Sequence, residues 1–280
     1  GGHTVVDPPE HVVELLHNRK ALTKKPCTWA LWEVIVPAAS KLPGKDLATL
    51  LLAYVEWAGS WNEAEIRSLG EKAAATAWVP TQGGKARTVK DAFHPAESPE
   101  AFTVVKENRA KIDQFIADMS LNGETVWRVL DLCGLKKELT WEDAVAEAEA
   151  IVRDGDVERA ELLLTHLNKK STTLKGSRTE ALKKLQELAW LPAMEPNKES
   201  QPAKASKLLA LKDIFPPSAT KLIWAVAPSL SIEAAVKELK PGRSVEAEPE
   251  VLVEQVRALA EAAAKAKGKP PRASGVVLGH

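Results

Sequence analysis

The sequence predicts a mainly α protein, arranged as an elongated helical repeat with short β-hairpins. Apolar residues recur at helical spacing in most segments, whereas strand-like segments are few and short. Residues that commonly cap helices, such as Ser, Thr, Asp and Asn, stand directly before several of these segments. Two short motifs also occur twice along the chain, which indicates a repeat architecture.

Composition places the chain among ordered globular proteins. Its 280 residues include 38 basic and 38 acidic side chains, so the formal net charge is zero, and 45% of the residues are apolar. This balance gives no general attraction to nucleic acid or to an anionic membrane surface. No apolar run reaches the roughly 18 residues that a membrane span needs. The first residues lack both Met and the pattern of a signal peptide, so we expect a part of a longer protein.

Two cysteines and an excess of Trp also carry information. Cys27 and Cys133 do not suit a disulfide scaffold and fit a reducing, cytoplasmic setting. Each lies among apolar residues, so we expect inert buried thiols rather than reactive ones. The chain has nine Trp, four Phe and one Tyr, and Trp in such excess usually anchors packing between helices. A stacking platform for nucleic-acid bases is the alternative, which the balanced charge disfavours.

Helices are predicted along most of the first half. One begins within residues 7–10 and another begins at Asp46. Ser60–Glu63 has the spacing of a capping box before a helix that runs toward Ala75. An apolar stripe over residues 112–119 predicts a further helix. Residues 122–125 start the next one, which Gly134 ends.

The clearest helical signals lie between residues 140 and 188. Thr140 caps a helix that residues 154–156 interrupt, and Asp156 caps a second helix. Their short connection predicts a helical hairpin of antiparallel neighbours. A third helix begins near Thr179.

Three segments are predicted to be non-helical. Residues 77–80 and 87–89 form a small hairpin around the two glycines at 83 and 84. Residues 198–207 are polar and alanine-rich, and they are predicted as an exposed loop. Residues 265–272 are basic and contain two prolines, so they are predicted as a mobile tail.

Internal similarity suggests a domain plan. The repeated pairs are 77–80 (AWVP) with 189–192 (AWLP), 89–95 (VKDAFHP) with 211–217 (LKDIFPP), and, more weakly, 9–16 with 249–256. We therefore predict a first helical unit over residues 1–130 and a second, related unit over 131–230. Terminal helices and a basic tail occupy residues 231–280.

Two further stretches have a recognisable order of residues. They are residues 132–143 (LCGLKKELTWED) and residues 159–168 (RAELLLTHLN). Together with the Leu-Pro turn and the Lys-Asp-x-Phe-x-Pro element, this order resembles the internal repeats of the sacsin family, which are very large cytosolic chaperones or co-chaperones. The resemblance covers roughly residues 77–228. It implies that the chain corresponds to the helical, non-ATPase part of such a repeat.

Candidate chemical groups all have a structural interpretation. The nucleotide-binding motifs of that family are absent from the sequence, and Gly83–Lys85 lacks the rest of a phosphate loop. Residues 142–149 contain several carboxylates, which we expect on the first turns and polar face of one helix, where they complement its dipole. The histidines, which we expect at surfaces or turns or as remnants at the termini, are His3, His11, His17, His94, His166 and His280. We assign no catalytic, cofactor-binding or metal-binding residue.

These observations favour a non-enzymatic helical segment of a sacsin-like chaperone or co-chaperone in the cytoplasm. It would act in protein folding and quality control, as a structural spacer and a protein-binding surface. The expected partners are unfolded client proteins or the heat-shock chaperone machinery, with no nucleic acid, membrane or cofactor. A helical-repeat adaptor that binds one specific partner is the alternative. An enzyme whose site is assembled from dispersed residues is a third reading that the sequence leaves open.

Overall fold

The structure is a computed structural model that describes residues 44–99, 101–197 and 204–267. The helix predicted to begin within residues 7–10, and Cys27, lie outside the described residues. The chain divides into two compact units, Gly1–Leu139 and Thr140–His280. The division falls after Leu139, within the range 131–230 that the sequence assigns to one unit.

Two helices open the described part of the first unit, and the second of them begins later than predicted. Helix α1 spans Gly44–Ala58 and helix α2 spans Glu63–Ala73. The capping box of α2 is formed by Asn62 and Glu65, not by Ser60 and Glu63. Ser60 Oγ instead donates to the Trp57 carbonyl oxygen at 3.0 Å. The helix starts late because the chain first turns the Trp61 ring into the core, where it is 6% exposed.

Three shorter helices complete the helical part of the first unit. They are α3 (Thr103–Asn108), α4 (Asp113–Asp118) and α5 (Gly123–Leu132). Asn122 caps α5 by accepting a hydrogen bond from the Thr125 N–H at 3.0 Å, as the sequence predicts. Gly134 has a φ of 104°, which confirms the predicted glycine stop. Helix α5 packs against both α1 and α2.

The predicted hairpin around the two glycines is confirmed as a small set of bridges. Val79 pairs antiparallel with Arg87, and the turn between them is closed by the Gly84 N–H on the Thr81 carbonyl oxygen. Gly84 has a φ of 77°, a conformation that glycine adopts without strain. Thr81 also pairs antiparallel with Ala110, and Phe93 pairs in parallel with Arg109.

The second unit begins with the predicted helical hairpin. Helices α6 (Trp141–Asp154) and α7 (Val157–Lys170) pack against each other, and α8 (Arg178–Glu187) packs on α6. Thr140 caps α6 and Asp156 caps α7, as predicted. Gly155 between the helices has a φ of 68°.

A three-stranded antiparallel sheet follows, which the sequence did not predict. The central strand β1 (Leu191–Met194) lies between β2 (Lys207–Leu209) and β3 (Ser229–Leu230). Residues 198–203 lie outside the described residues, but Lys207 pairs with Ala193 in β2 and is not part of a loop. Strands of two to four residues are too short to show an alternating pattern.

Helices α9 (Thr220–Ile223) and α10 (Glu250–Lys267) complete the second unit, with short 3₁₀ turns at Leu211–Asp213, Pro217–Ala219 and Lys237–Leu239. Helix α10 includes residues 265–267, which corrects their assignment to a tail, and residues 268–272 lie outside the described residues. The mainly α prediction is confirmed for the part of the chain that the structure describes. Within that part, no helix combines the length and apolar character that crossing a bilayer requires.

Candidate functional site

A groove of about 830 Å³ lies in the first unit, between the end of α1 and the connection from α4 to α5. Its apolar walls include Trp57, Met119 and Leu121, all of which are half-buried. The same three side chains pack on the hydrophobic core beneath them. The groove therefore offers apolar surface on a supported wall, which is the usual lining of a binding site.

An aromatic cluster positions the Trp57 wall. Tyr54, Trp57 and Trp61 stack edge to face, with ring centroids 5.1–5.7 Å apart. Gly59 lies beside them, and a Cβ atom at this residue would stand 2.1 Å from Thr125 Cγ2. Only glycine allows the turn after α1 to approach α5 this closely.

Polar contacts fix the rim of the groove. Glu56 Oε1 accepts a hydrogen bond from the Asn122 N–H at 2.8 Å, and Arg128 Nη2 donates to the Gly59 carbonyl oxygen at 2.6 Å. Ser120 has a φ of 52°, a left-handed conformation that is uncommon outside glycine. Glu56 is the one carboxylate among the described residues that line the groove. This lining suits an apolar side chain with polar groups at its edge, and it offers no second carboxylate for acid–base work.

A second cluster brings His94, Glu97 and Asp131 together, with ligand atoms within 4.8 Å of one another. The Lys137 ammonium already occupies this position, since its Nζ lies 2.8 Å from a carboxylate oxygen of both Glu97 and Asp131. These contacts lower the pKa of Glu97 and raise the pKa of Lys137.

The tautomer of His94 also disfavours metal binding. His94 Nδ1 accepts a hydrogen bond from the Ala96 N–H at 3.2 Å, so the proton of a neutral ring is on Nε2. Metal binding through Nε2 would require the proton to stand on Nδ1 instead, which would break the hydrogen bond from the Ala96 N–H. We therefore interpret the cluster as an ion-pair network that ties the His94 turn to α5.

The acidic residues of α6 have separate structural roles, and one of them corrects the sequence interpretation. Asp143 completes the capping box with Thr140, and Glu142 Oε1 accepts the Ser177 N–H at 2.8 Å. Glu147 does not lie on a polar face. It is fully buried, and its carboxylate lies 2.8 Å from Arg159 Nε of α7. Burial of a carboxylate demands such a partner.

The remaining candidates that lie in the described part of the chain are not gathered into one site. Cys133 is 4% exposed, and its thiol donates to the Ile66 carbonyl oxygen at 3.5 Å. Burial raises its pKa to about 12, as expected for an inert thiol. His166 lies half-buried in α7. His3, His11, His17 and His280 lie outside the described residues.

The groove was not predicted from the sequence. Trp57 and Met119 lie in segments far apart along the chain, and no local pattern links them. The available signal was the excess of Trp, which indicated where helices pack but not which ring would remain half-exposed. No family model, no curated protein and no solved structure matches the chain.

Proposed function

We propose that the chain is a non-catalytic protein-binding segment that contains two copies of one motif, each made of a helix pair and a small set of paired strands. The proposal rests on the β pairing, which has the same register in the two units. Each copy would serve as a spacer and a protein-binding surface, a role that helical repeats commonly have.

The β pairing supports the two copies residue by residue. The matching pairs are Val79–Arg87 with Leu191–Leu209, Thr81–Ala110 with Ala193–Leu230, and Phe93–Arg109 with Phe215–Ser229. In each copy the first two pairs are antiparallel and the third is parallel. Val79 and Phe93 lie in the AWVP and KDAF motifs, and Leu191 and Phe215 lie in their second occurrences, so these repeated positions pair in the same way.

The helix pair before each sheet supports the same interpretation. Trp78 and Trp190 differ by 112 in residue number, and both are buried. Four buried positions of α1 have buried counterparts in α7 at the same offset. They are Ala48 and Ala160, Leu51 and Leu163, Leu52 and Leu164, and Val55 and Leu167. A constant offset over helix, turn and strand is expected from a duplicated motif.

We further propose a chaperone or co-chaperone role in the cytoplasm, following the resemblance to sacsin repeats. The clients would be unfolded proteins, which expose the apolar side chains that the groove of the first unit suits. Unfolded clients, the heat-shock chaperone machinery or both would be the partners. This function requires no cofactor and no chemical step.

Suppression of heat-induced aggregation tests the proposal. The full chain should reduce light scattering by a heat-labile client protein to the same extent with and without ATP. Met119→Gln, which makes the groove wall polar, should weaken suppression. Val152→Gln is the matched control, because Val152 is 39% exposed on α6 and does not line the groove. Absence of suppression by the unaltered chain would contradict client binding.

One observation favours the adaptor alternative. Glu56 in the groove of the first unit corresponds to Asn168 in the second unit at the same offset of 112. Asn168 instead binds the main chain on both sides, donating to the Glu233 carbonyl oxygen and accepting from the Ala235 N–H, both at 2.8 Å. A position whose contacts differ between the two copies suits one specific partner. Saturable capture of a single protein, without affinity for unfolded clients, would favour the adaptor.

A further inference from the structure

The groove of the first unit lies in an acidic part of the chain. Its lining comes from two stretches, the end of α1 with the turn after it and the connection from α4 to α5. With the turns that flank them, residues 53–67 and 112–128 hold six acidic and two basic side chains. The acidic ones are Glu56, Glu63, Glu65, Asp113, Asp118 and Glu124, and the basic ones are Arg67 and Arg128. The whole chain has no net charge, so this excess of acid is local.

Three of these acidic residues border the groove directly. Glu56 is part of its lining. Asp118 and Glu124 are exposed, and each directly precedes a lining residue. We call these three side chains the acidic rim. Carboxylates at the edge of an apolar groove attract a basic ligand and repel an acidic one.

The basic residues nearby do not cancel the acidic rim. Arg67 lies 3.6 Å from Glu63, which is not part of the rim. Arg128 Nη2 donates to the Gly59 carbonyl oxygen, so one cation is held at the groove beside the three carboxylates of the rim. The lysines nearest to these stretches along the chain lie at or beyond the helix ends away from the groove, and they are Lys45, Lys72, Lys111 and Lys136.

We propose that the groove binds extended segments of unfolded clients in which a large apolar side chain is flanked by Lys or Arg. This inference rests on the chaperone function proposed above, and it names the class of client segment. The apolar side chain packs on the wall that Trp57, Met119 and Leu121 provide. The aliphatic stem of a flanking Lys or Arg covers apolar surface while its cationic head reaches the acidic rim.

Two polar side chains of the lining suit an extended main chain. Asn122 Oδ1 already accepts the Thr125 N–H, so the NH₂ group of its amide is the donor that a ligand can use. Ser60 Oγ donates to the Trp57 carbonyl oxygen, so its hydroxyl offers a ligand an acceptor. An extended segment carries unpaired main-chain N–H and C=O groups, whereas a helix has paired most of its own. The groove volume of about 830 Å³ gives room for several residues of such a segment.

Fluorescence anisotropy with labelled peptides tests the preference for basic segments. Three unstructured peptides share a central Phe-Leu pair and differ only in the residues that flank it, which are Lys, Ser or Glu. The full chain should bind the Lys peptide at least about tenfold more tightly than the Glu peptide, with the Ser peptide between them. The difference should largely vanish at about 1 M salt, because charges are then screened within about 3 Å. Equal affinities for the three peptides at low salt would overturn the proposal.

A charge-removing variant locates the preference. Glu56→Gln combined with Asp118→Asn removes two charges of the acidic rim and keeps the oxygen that accepts the Asn122 N–H. The variant should bind the Lys peptide about as weakly as the Ser peptide, and its affinity for the Ser peptide should be unchanged. The matched control is Glu149→Gln combined with Glu180→Gln, since both residues are exposed and line a separate cavity in the second unit. Circular dichroism confirms that each variant is folded, and equal effects of the two pairs would overturn the assignment to the groove.

The outcomes separate this inference from the function on which it rests. A chain that suppresses aggregation but binds the three peptides equally keeps the client-binding function and loses the preference for basic segments. A chain that binds none of the peptides loses both. Concentration-dependent self-association that Met119→Gln abolishes would assign the groove to a second copy of the chain and overturn the proposal.

Discussion

At the scale of single residues, burial explains why the described cysteine is a packing residue. Cys133 follows α5, and its backbone lies 2.5 Å from the position that a Cβ atom on Gly70 of α2 would take. The thiol is thus enclosed where two helices meet. Its polar partner is the Ile66 carbonyl oxygen, which accepts from the thiol and would repel a thiolate.

We predict that Cys133 does not react with a thiol reagent in the folded protein. With a pKa of about 12, only about 1 in 10,000 of these thiols is ionised near pH 8, and the thiolate is the reactive form. A colorimetric thiol assay on the Cys27→Ser variant should detect no fast reaction in buffer and one thiol in denaturant. Fast labelling in buffer would show that the α2–α5 contact opens readily.

Single residues also show what local sequence could predict. Capping depends only on nearby main-chain N–H groups, so local sequence suffices to predict the caps Asn122, Thr140 and Asp156. Ser60 does not cap α2, because Trp61 packs against Tyr54 of α1 and the helix therefore begins later in the sequence. The groove could not be predicted from local sequence for the same reason, since Trp57 and Met119 line it together only after α1 and α4 have packed.

At the scale of elements, the α6–α7 hairpin is held by a buried ion pair that a polar-face interpretation of α6 could not reveal. Glu147 is fully buried, and the Arg159 side chain is 12% exposed. Arg159 also lies 2.9 Å from Asp154 at the end of α6. One cation thus joins the middle of α6, its last turn and the start of α7.

We predict that Arg159→Ala lowers the free energy of unfolding by about 3–5 kcal/mol, because Glu147 is left buried without its cation. Arg153→Ala is the matched control. Arg153 is 67% exposed and pairs with Asp154 at the surface, so its loss should cost less than about 1 kcal/mol. Urea unfolding followed by circular dichroism measures both. Equal costs would contradict a structural role for the buried pair.

A second clamp holds the segment that leads into α10. Arg243 lies over the Phe215 ring, 4.1 Å from its centroid, and its Nε lies 2.9 Å from Glu248 Oε1. The hydrogen bond from Arg243 lowers the pKa of Glu248. The carboxylate therefore favours the folded state only while it is ionised.

We predict that the stability difference between the unaltered chain and Glu248→Gln depends on pH. A lowered folded-state pKa contributes stability above the unfolded-state pKa, and this contribution is lost as the pH falls through the folded-state value. The difference should be full near pH 7 and vanish in acid, as thermal unfolding at several pH values would show. Glu246→Gln, at an exposed neighbour, is the control and should show no such trend.

At the scale of the whole molecule, the sequence alone shows the proposed repetition where the motif is local and does not show it where the motif depends on strand pairing. The AWVP and KDAF motifs and their second occurrences were visible as letters. The third paired segment, Arg109 and Ser229, shares no motif, and only the register of the bridges relates the two. Strand pairing depends on main-chain geometry, so side-chain identity can change there while the pairing is kept.

The boundary between the units carries the last prediction. Cys133 and Leu135 belong to the hydrophobic core of the first unit, whereas Trp141 is 1% exposed in the second. We therefore predict that residues 140–280, expressed alone, unfold in one cooperative thermal transition, as a domain with its own core should.

A shorter fragment supplies the control for that boundary. Residues 157–280 lack α6, and with it Trp141, Ile151 and the buried partner of Arg159. This fragment should lose the cooperative transition, because α7 and α8 lose the helix that both pack against. Adding residues 131–139 to the longer fragment should not raise its melting temperature, since their contacts lie in the first unit. A clear gain from those residues would move the boundary toward residue 131, where the sequence alone had placed it.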